Sequence, residues 1–220
     1  MSFDRIRVCG ALAALAVLAA TSGTALAQAP AANMSFFVTS KNPGKGGDLG
    51  GLKGADAYCQ SLATAAGAGS KTWHAFLSTD KENAKDRIGR GPWYNFKGVL
   101  IAQNVADLLK ADANKISADT ALTEKGTAPN YLQGDPPARR PDLQHDILTG
   151  TNDDGTSSGM TCNNWTDGGD DQKATLGHAD RKGLNPGVNS FTSVHPSQGC
   201  SLAKLEPTGG VGLFYCFATN

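Results

Sequence analysis

Gly50-Gly51-Leu52-Lys53-Gly54-Ala55-Asp56-Ala57-Tyr58-Cys59 opens the segment whose reading decides the fold, because it places a cysteine on the inner face of a helix. Ala55, Cys59, Leu62, Ala63 and Ala66 recur at helical spacing, Asp56, Gln60 and Thr64 are expected to face away, and Gly67 supplies a stop. Cys59 therefore points into a core. Near the other end of the chain, Gly210-Val211-Gly212-Leu213-Phe214-Tyr215-Cys216-Phe217 is apolar at both parities, as expected of a strand covered on both sides.

Between these segments the chain alternates short apolar runs with turn signals. Met34 to Thr39 reads as a first strand, Thr72-Trp73-His74-Ala75-Phe76-Leu77-Ser78 as a buried one, and Val99 to Ala102 as a short apolar run. Asp80 is expected to cap a short helix through Ile88, and Asn104 to cap a helical turn with Asp107 at its third position. From Thr123 to Leu143 the sequence is rich in Pro, Gly and charge and reads as a surface excursion. A strand returns from His145 to Thr151, and Asn152 to Asn189 reads as one long loop region of Gly, Asp, Asn, Thr and Ser.

At the N-terminus, Arg5 and Arg7 precede the apolar run Ala11 to Ala20 and the small-residue triplet Ala25-Leu26-Ala27. That order is the pattern of a secretory signal peptide, assigned to residues 1–27 with cleavage after Ala27. A short leader, 28–33, and a single domain, 34–220, complete the expected organisation. No later stretch has transmembrane length. The chain carries 20 basic and 20 acidic side chains, so no field of one sign attracts nucleic acid. Of its five cysteines, Cys9 leaves with the signal. Cys59, Cys162, Cys200 and Cys216 form an even set suited to an oxidising compartment, and three pairings are open to them.

The blocks Gly50 to Cys59, Trp73-His74-Ala75-Phe76-Leu77-Ser78, Leu148-Thr149-Gly150-Thr151 leading to Cys162-Asn163-Asn164-Trp165, and Leu213-Phe214-Tyr215-Cys216 follow one another in an order that resembles the C-type-lectin-like domain, in its endostatin-like (collagen XV/XVIII C-terminal domain-like) bacterial branch. The resemblance implies an α+β fold: a mixed antiparallel sheet with flanking helices and long loops, and two nested disulfides, Cys59 with Cys216 and Cys162 with Cys200. In the chain-entropy picture the outer bond would stabilise by roughly 5 kcal/mol and the inner by roughly 4 kcal/mol. The inner bond would pin a loop too poor in apolar surface to order itself.

The densest polar cluster is Asn152, Asp153, Asp154, Asn163, Asn164, Trp165 and Asp167, and these residues are the candidates for ligand contact. Oxygen-rich side chains suit calcium, and amides beside an aromatic face suit sugar hydroxyls. The calcium loop is incomplete, because its twelfth position is Asn163 and not a bidentate Glu, and the Glu-Pro-Asn or Gln-Pro-Asp tripeptide of calcium-dependent lectins is missing. Turn chemistry competes for Asn152 to Asp154, and core packing for Trp165. His74, His145, His178 and His195 are dispersed and read as structural or solvated, and Arg87, Arg90, Arg139 and Arg140 as a solvated face. No nucleophile elbow, phosphate loop or dinucleotide fingerprint occurs.

These features give three function classes in order. The first is a lectin-like binding protein, secreted, periplasmic or attached to the cell surface, that contacts a glycan or an extracellular matrix or host protein through the 150–200 region. Bacterial endostatin-like proteins act as adhesins, so the resemblance implies that partner class. The second is a structural cell-envelope protein without a small ligand. The third is an enzyme on a lectin-like fold, for which no catalytic set is found. No cofactor is expected, calcium being the one candidate that the polar cluster leaves open, and the sequence assigns no metal ligands.

Overall fold

The computed structural model describes Met1 and residues 28–132, 142–183 and 189–220. The signal peptide expected over 1–27, Met1 apart, and the Pro-rich stretch 133–141 lie outside these residues.

The architecture is α+β, organised around the last strand, β8 (Gly210–Ala218). β1 (Phe36–Val38) and β2 (Trp73–Ala75) pair antiparallel with the same residues of β8, Cys216 and Phe217, and so occupy its two opposite edges. β5 (Asp146–Leu148) continues along β8 in parallel, and β6 (Thr175–His178) and β7 (His195–Pro196) extend the sheet antiparallel. β3 (Trp93–Tyr94) and β4 (Leu100–Ala102) form a separate two-stranded ladder. The register of β8 slips between Gly210 and Leu213, where Gly212 takes a positive φ of 73° that only glycine adopts readily.

β8 is apolar at both parities because both of its faces are covered. Phe214, Cys216 and Ala218 enter one core with Phe37, Trp73, Leu148 and Cys59, whereas Leu213, Tyr215 and Phe217 enter a second core with Phe36, Phe76, Trp93 and Ile147. Helix α1 (Gly51–Ala65) covers the first face, burying Ala55, Cys59 and Ala63, and the chain leaves it through Gly67 at φ 90°. Two disulfides close the fold, Cys59–Cys216 between α1 and β8 and Cys162–Cys200 across the later segment. The nested pairing is the one the resemblance implies.

Asp56 and Gln60 do not face away. Asp56 Oδ1 accepts the Ala75 N–H at 2.8 Å and Gln60 Oε1 accepts the Trp73 N–H at 3.2 Å, so one turn of α1 satisfies alternate donors along the outer edge of β2. Arg87 is not solvated either. It ends helix α2 (Ala84–Arg87) with its side chain 5% exposed, bidentate to Asp56 at 3.1 and 2.8 Å and donating to the Ala75 carbonyl. α2 starts behind Asn83, later than a cap at Asp80 would place it. Helix α3 (Val105–Leu109) carries the expected cap, the Asp107 N–H donating to Asn104 Oδ1 at 2.9 Å.

Two loop expectations fail for one reason: polar sequence is used inside the fold. Thr123, Glu124, Tyr131 and Leu132 are buried, with the Ser40 N–H donating to Glu124 Oε2 at 3.0 Å and the Tyr131 hydroxyl donating to the Ala121 carbonyl at 2.6 Å. The segment 152–189 is not one loop, since it contains β6, every residue of which is buried.

Candidate functional site

The seven predicted ligand residues separate into two places. Asn163, Asn164 and Trp165 lie in a turn from Cys162 to Trp165 whose φ values run 48°, 52°, 58° and 66°, a single left-handed helical turn. Such a turn costs roughly 1–2 kcal/mol per non-glycine residue, least at asparagine, so its neighbours must hold it. They do so through Thr161 Oγ1, which accepts the Asn164 N–H at 3.1 Å, through the Trp165 N–H donating to the Thr161 carbonyl at 2.8 Å, and through the Cys162 disulfide. Trp165 is fully buried and its indole N–H donates to the Ser78 carbonyl at 2.7 Å. It is a core residue with no face open to a sugar ring. Asn164 Oδ1 accepts the Asp80 N–H at 2.9 Å, Asn163 donates to Thr166 Oγ1 at 3.2 Å, and Asp167 accepts the Gly169 N–H at 2.6 Å.

Asn152 and Asp154 make turn bonds, Asn152 to the Ser157 carbonyl at 2.9 Å and Asp154 from the Thr156 N–H at 2.9 Å. Asp153 differs. It lines a cleft of about 170 Å³ with Asn114, Arg181, Asn189, Ser190 and Thr192, and its Oδ1 accepts the hydroxyls of Ser190 and Thr192. The guanidinium across the cleft is fixed by bonds to the Asn189 carbonyl at 2.9 Å and Asn114 Oδ1 at 3.3 Å. A carboxylate, a guanidinium, an amide and two hydroxyls thus meet over one small opening.

Sequence reading missed a second constellation, because three of the dispersed histidines converge. Asp146 on β5 pairs directly with His178 on β6, and His195 on β7 pairs with Leu176, two residues from His178 and on the same face. The register brings His178 Nε2 to 3.1 Å, His145 Nε2 to 3.2 Å and His195 Nε2 to 3.6 Å from Asp146 Oδ1. His145 reaches Asp180 with its other nitrogen at 3.3 Å and stacks on His178 with ring centroids 4.0 Å apart. Gly209, at φ 110°, makes room here, since a Cβ there would stand 3.0 Å from the His145 ring.

Burial opposes ionisation of Asp146. The His178 and His195 contacts and the charge of His145 and His195 outweigh it and hold the carboxyl well below the usual carboxylate range. Asp180 is likewise lowered against its own desolvation, by His145 and by the backbone N–H groups of Lys182 and Leu132. Asp146 in turn raises His195. The signal that could have found this cluster was the pair His145-Asp146 on a strand followed by His178-Ala179-Asp180, but it becomes legible only when β6 is recognised as a strand.

The chain belongs to the family described as "Protein of unknown function (DUF1554)", which matches residues 42–182, from the turn before α1 to just past β6. Asp146, His178 and Asp180 lie within the matched region, and His195 and β8 beyond it. No curated protein matches the chain.

Proposed function

We propose that this protein is an exported binding protein of C-type-lectin-like fold that contacts a glycan or an extracellular protein through its 150–200 region. One observation carries the reading: Asp153, a ligand candidate in the sequence, stands with Arg181, Asn114 and Thr192 around a small cleft whose walls also include Leu109, Ala111 and Phe191, so polar groups meet an apolar lining. A carboxylate and a guanidinium fixed by neighbouring bonds give directional acceptors and donors of the kind that orient sugar hydroxyls or a polar peptide segment. The nested disulfides agree with an oxidising compartment and with the domain family that the sequence resembles. Among the described residues no helix is long and apolar enough to cross a membrane.

The test is a printed array of glycans and extracellular matrix proteins, probed with the oxidised chain and with Asp153→Ala, in calcium and in chelator. Binding by the wild type that the variant loses, at unchanged melting temperature, supports the reading. A blank array refutes it in favour of a structural envelope role, and binding undiminished in Asp153→Ala refutes the cleft as the contact.

A further inference from the structure

We propose that Asp146, His178 and His195 form a binding site for a divalent transition-metal ion of the zinc class. His178 Nδ1 lies 2.6 Å from the Lys182 carbonyl and His195 Nδ1 lies 3.1 Å from the Pro196 carbonyl. A carbonyl only accepts, so each Nδ1 carries the hydrogen, and the Nε2 of each neutral ring presents a lone pair. Those lone pairs face each other at 3.2 Å and face Asp146 Oδ1 at 3.1 and 3.6 Å. With both rings neutral, three acceptors meet with no donor between them, and either a proton on His195, which Asp146 favours, or a metal ion supplies the missing positive charge.

Asp146 is the third of these acceptors. Its side chain is fully buried, and neither carboxylate oxygen takes part in a well-aligned hydrogen bond, although imidazole nitrogens stand close to Oδ1. A buried carboxylate left in this condition is costly unless a cation compensates it. His145 touches both Asp146 and Asp180, so as an imidazolium it can neutralise only one of the two buried carboxylates.

The spacing fits one ion. Three ligands about 2.0–2.1 Å from a tetrahedral centre stand about 3.3 Å apart, and the observed separations of 3.1, 3.2 and 3.6 Å bracket that value. Two imidazoles and a carboxylate are a borderline-soft set that suits zinc and its first-row neighbours better than calcium, which wants six or more oxygens. The Nδ1–carbonyl bonds are the outer contacts that orient metal-binding histidines. The His195 side chain is 32% exposed, so one side of the site is open for entry and for a solvent ligand. His145, Asp180 and His178 also lie close enough to share an ion, but Asp180 already accepts the Leu132 and Lys182 N–H groups at 3.0 Å, which leaves the Asp146 set the better centre.

The experiment is calorimetric titration of the chelator-treated, oxidised full-length mature chain with zinc chloride, alongside His195→Ala, Asp146→Asn and His74→Ala. His195 is partly exposed on a two-residue edge strand, so its variant tests the site even if the buried Asp146→Asn substitution fails to fold. The expected result is one zinc ion per chain, at least a tenfold loss of affinity in His195→Ala, and no change in His74→Ala. No saturable binding, or binding in His195→Ala within threefold of wild type, overturns the site.

Discussion

Replacing Asp56 by alanine should destabilise this protein more than any other single change to a partly exposed side chain of α1. Asp56 does two jobs, pairing with Arg87 at 2.8 and 3.1 Å and accepting the Ala75 N–H at 2.8 Å. Removing one member of a buried pair costs about 3–5 kcal/mol, because the remaining charge is stranded. Asp56 is 21% exposed, so water reaches the gap, and Arg87 keeps its bond to the Ala75 carbonyl, which favours the lower end. The orphaned Ala75 N–H would by itself cost about 1–3 kcal/mol, and it shares the same cavity, so the two losses do not add in full. We expect about 3–4 kcal/mol for Asp56→Ala. Asp56→Asn keeps the acceptor and loses the charge, and should cost roughly half as much. Guanidinium denaturation of the oxidised protein, followed by tryptophan fluorescence, measures both. A loss below about 1 kcal/mol in Asp56→Ala, or equal losses in the two variants, would refute the assignment of a partly buried, load-sharing pair.

Three further outcomes follow from the same geometry. In the left-handed turn, Asn163→Val should cost about 1–2 kcal/mol while Asn163→Gly is neutral or stabilising, a contrast read from paired melting curves that would vanish if the turn were right-handed. Removing the inner staple by Cys162→Ser with Cys200→Ser should lower stability by up to about 4 kcal/mol and open the exposed stretch after Asp167 to limited proteolysis, whereas an intact digestion pattern would show that the turn holds itself. Tyr131 and Tyr215 are buried and donate to the carbonyls of Ala121 and Phe191, and burial pushes both phenols well above their ordinary value. A folded pKa above the unfolded one gives stability that is present below about pH 10 and lost above it, as the unfolded chain ionises first. Alkaline difference absorbance should therefore show these two phenols titrating only together with unfolding, and their free titration in the native state would contradict the burial.

Much of the frame was legible because apolar periodicity survives in it. The α1 stripe through Ala55, Cys59 and Ala63, the double-sided β8 and the Asn104 cap all follow local rules, and the structure has them where those rules put them. What escaped was polar residues placed inside by tertiary partners. Asp56 and Gln60 look like a solvent face until β2 presents its edge to them, and Arg87 looks solvated until Asp56 is beside it. β6 was hidden because Thr175-Leu176-Gly177-His178 carries a single large apolar side chain, and its burial comes from β5 and β7 on either side. With β6 unseen, Asp146, His178 and His195 had no register to bring them together. The cleft was half visible, since Asp153 stood out by composition while Arg181 and Asn114 come to it from other parts of the chain.

The most direct test of the binding account is a titration of the isotopically labelled, oxidised chain with the strongest binder from the array, followed by amide chemical shifts. The cleft reading predicts that the shifts concentrate at Asn114, Asp153, Arg181, Ser190 and Thr192, the residues that line the opening. Shifts confined to Asn163, Asn164 and Asp167, or spread evenly over the surface, would contradict it.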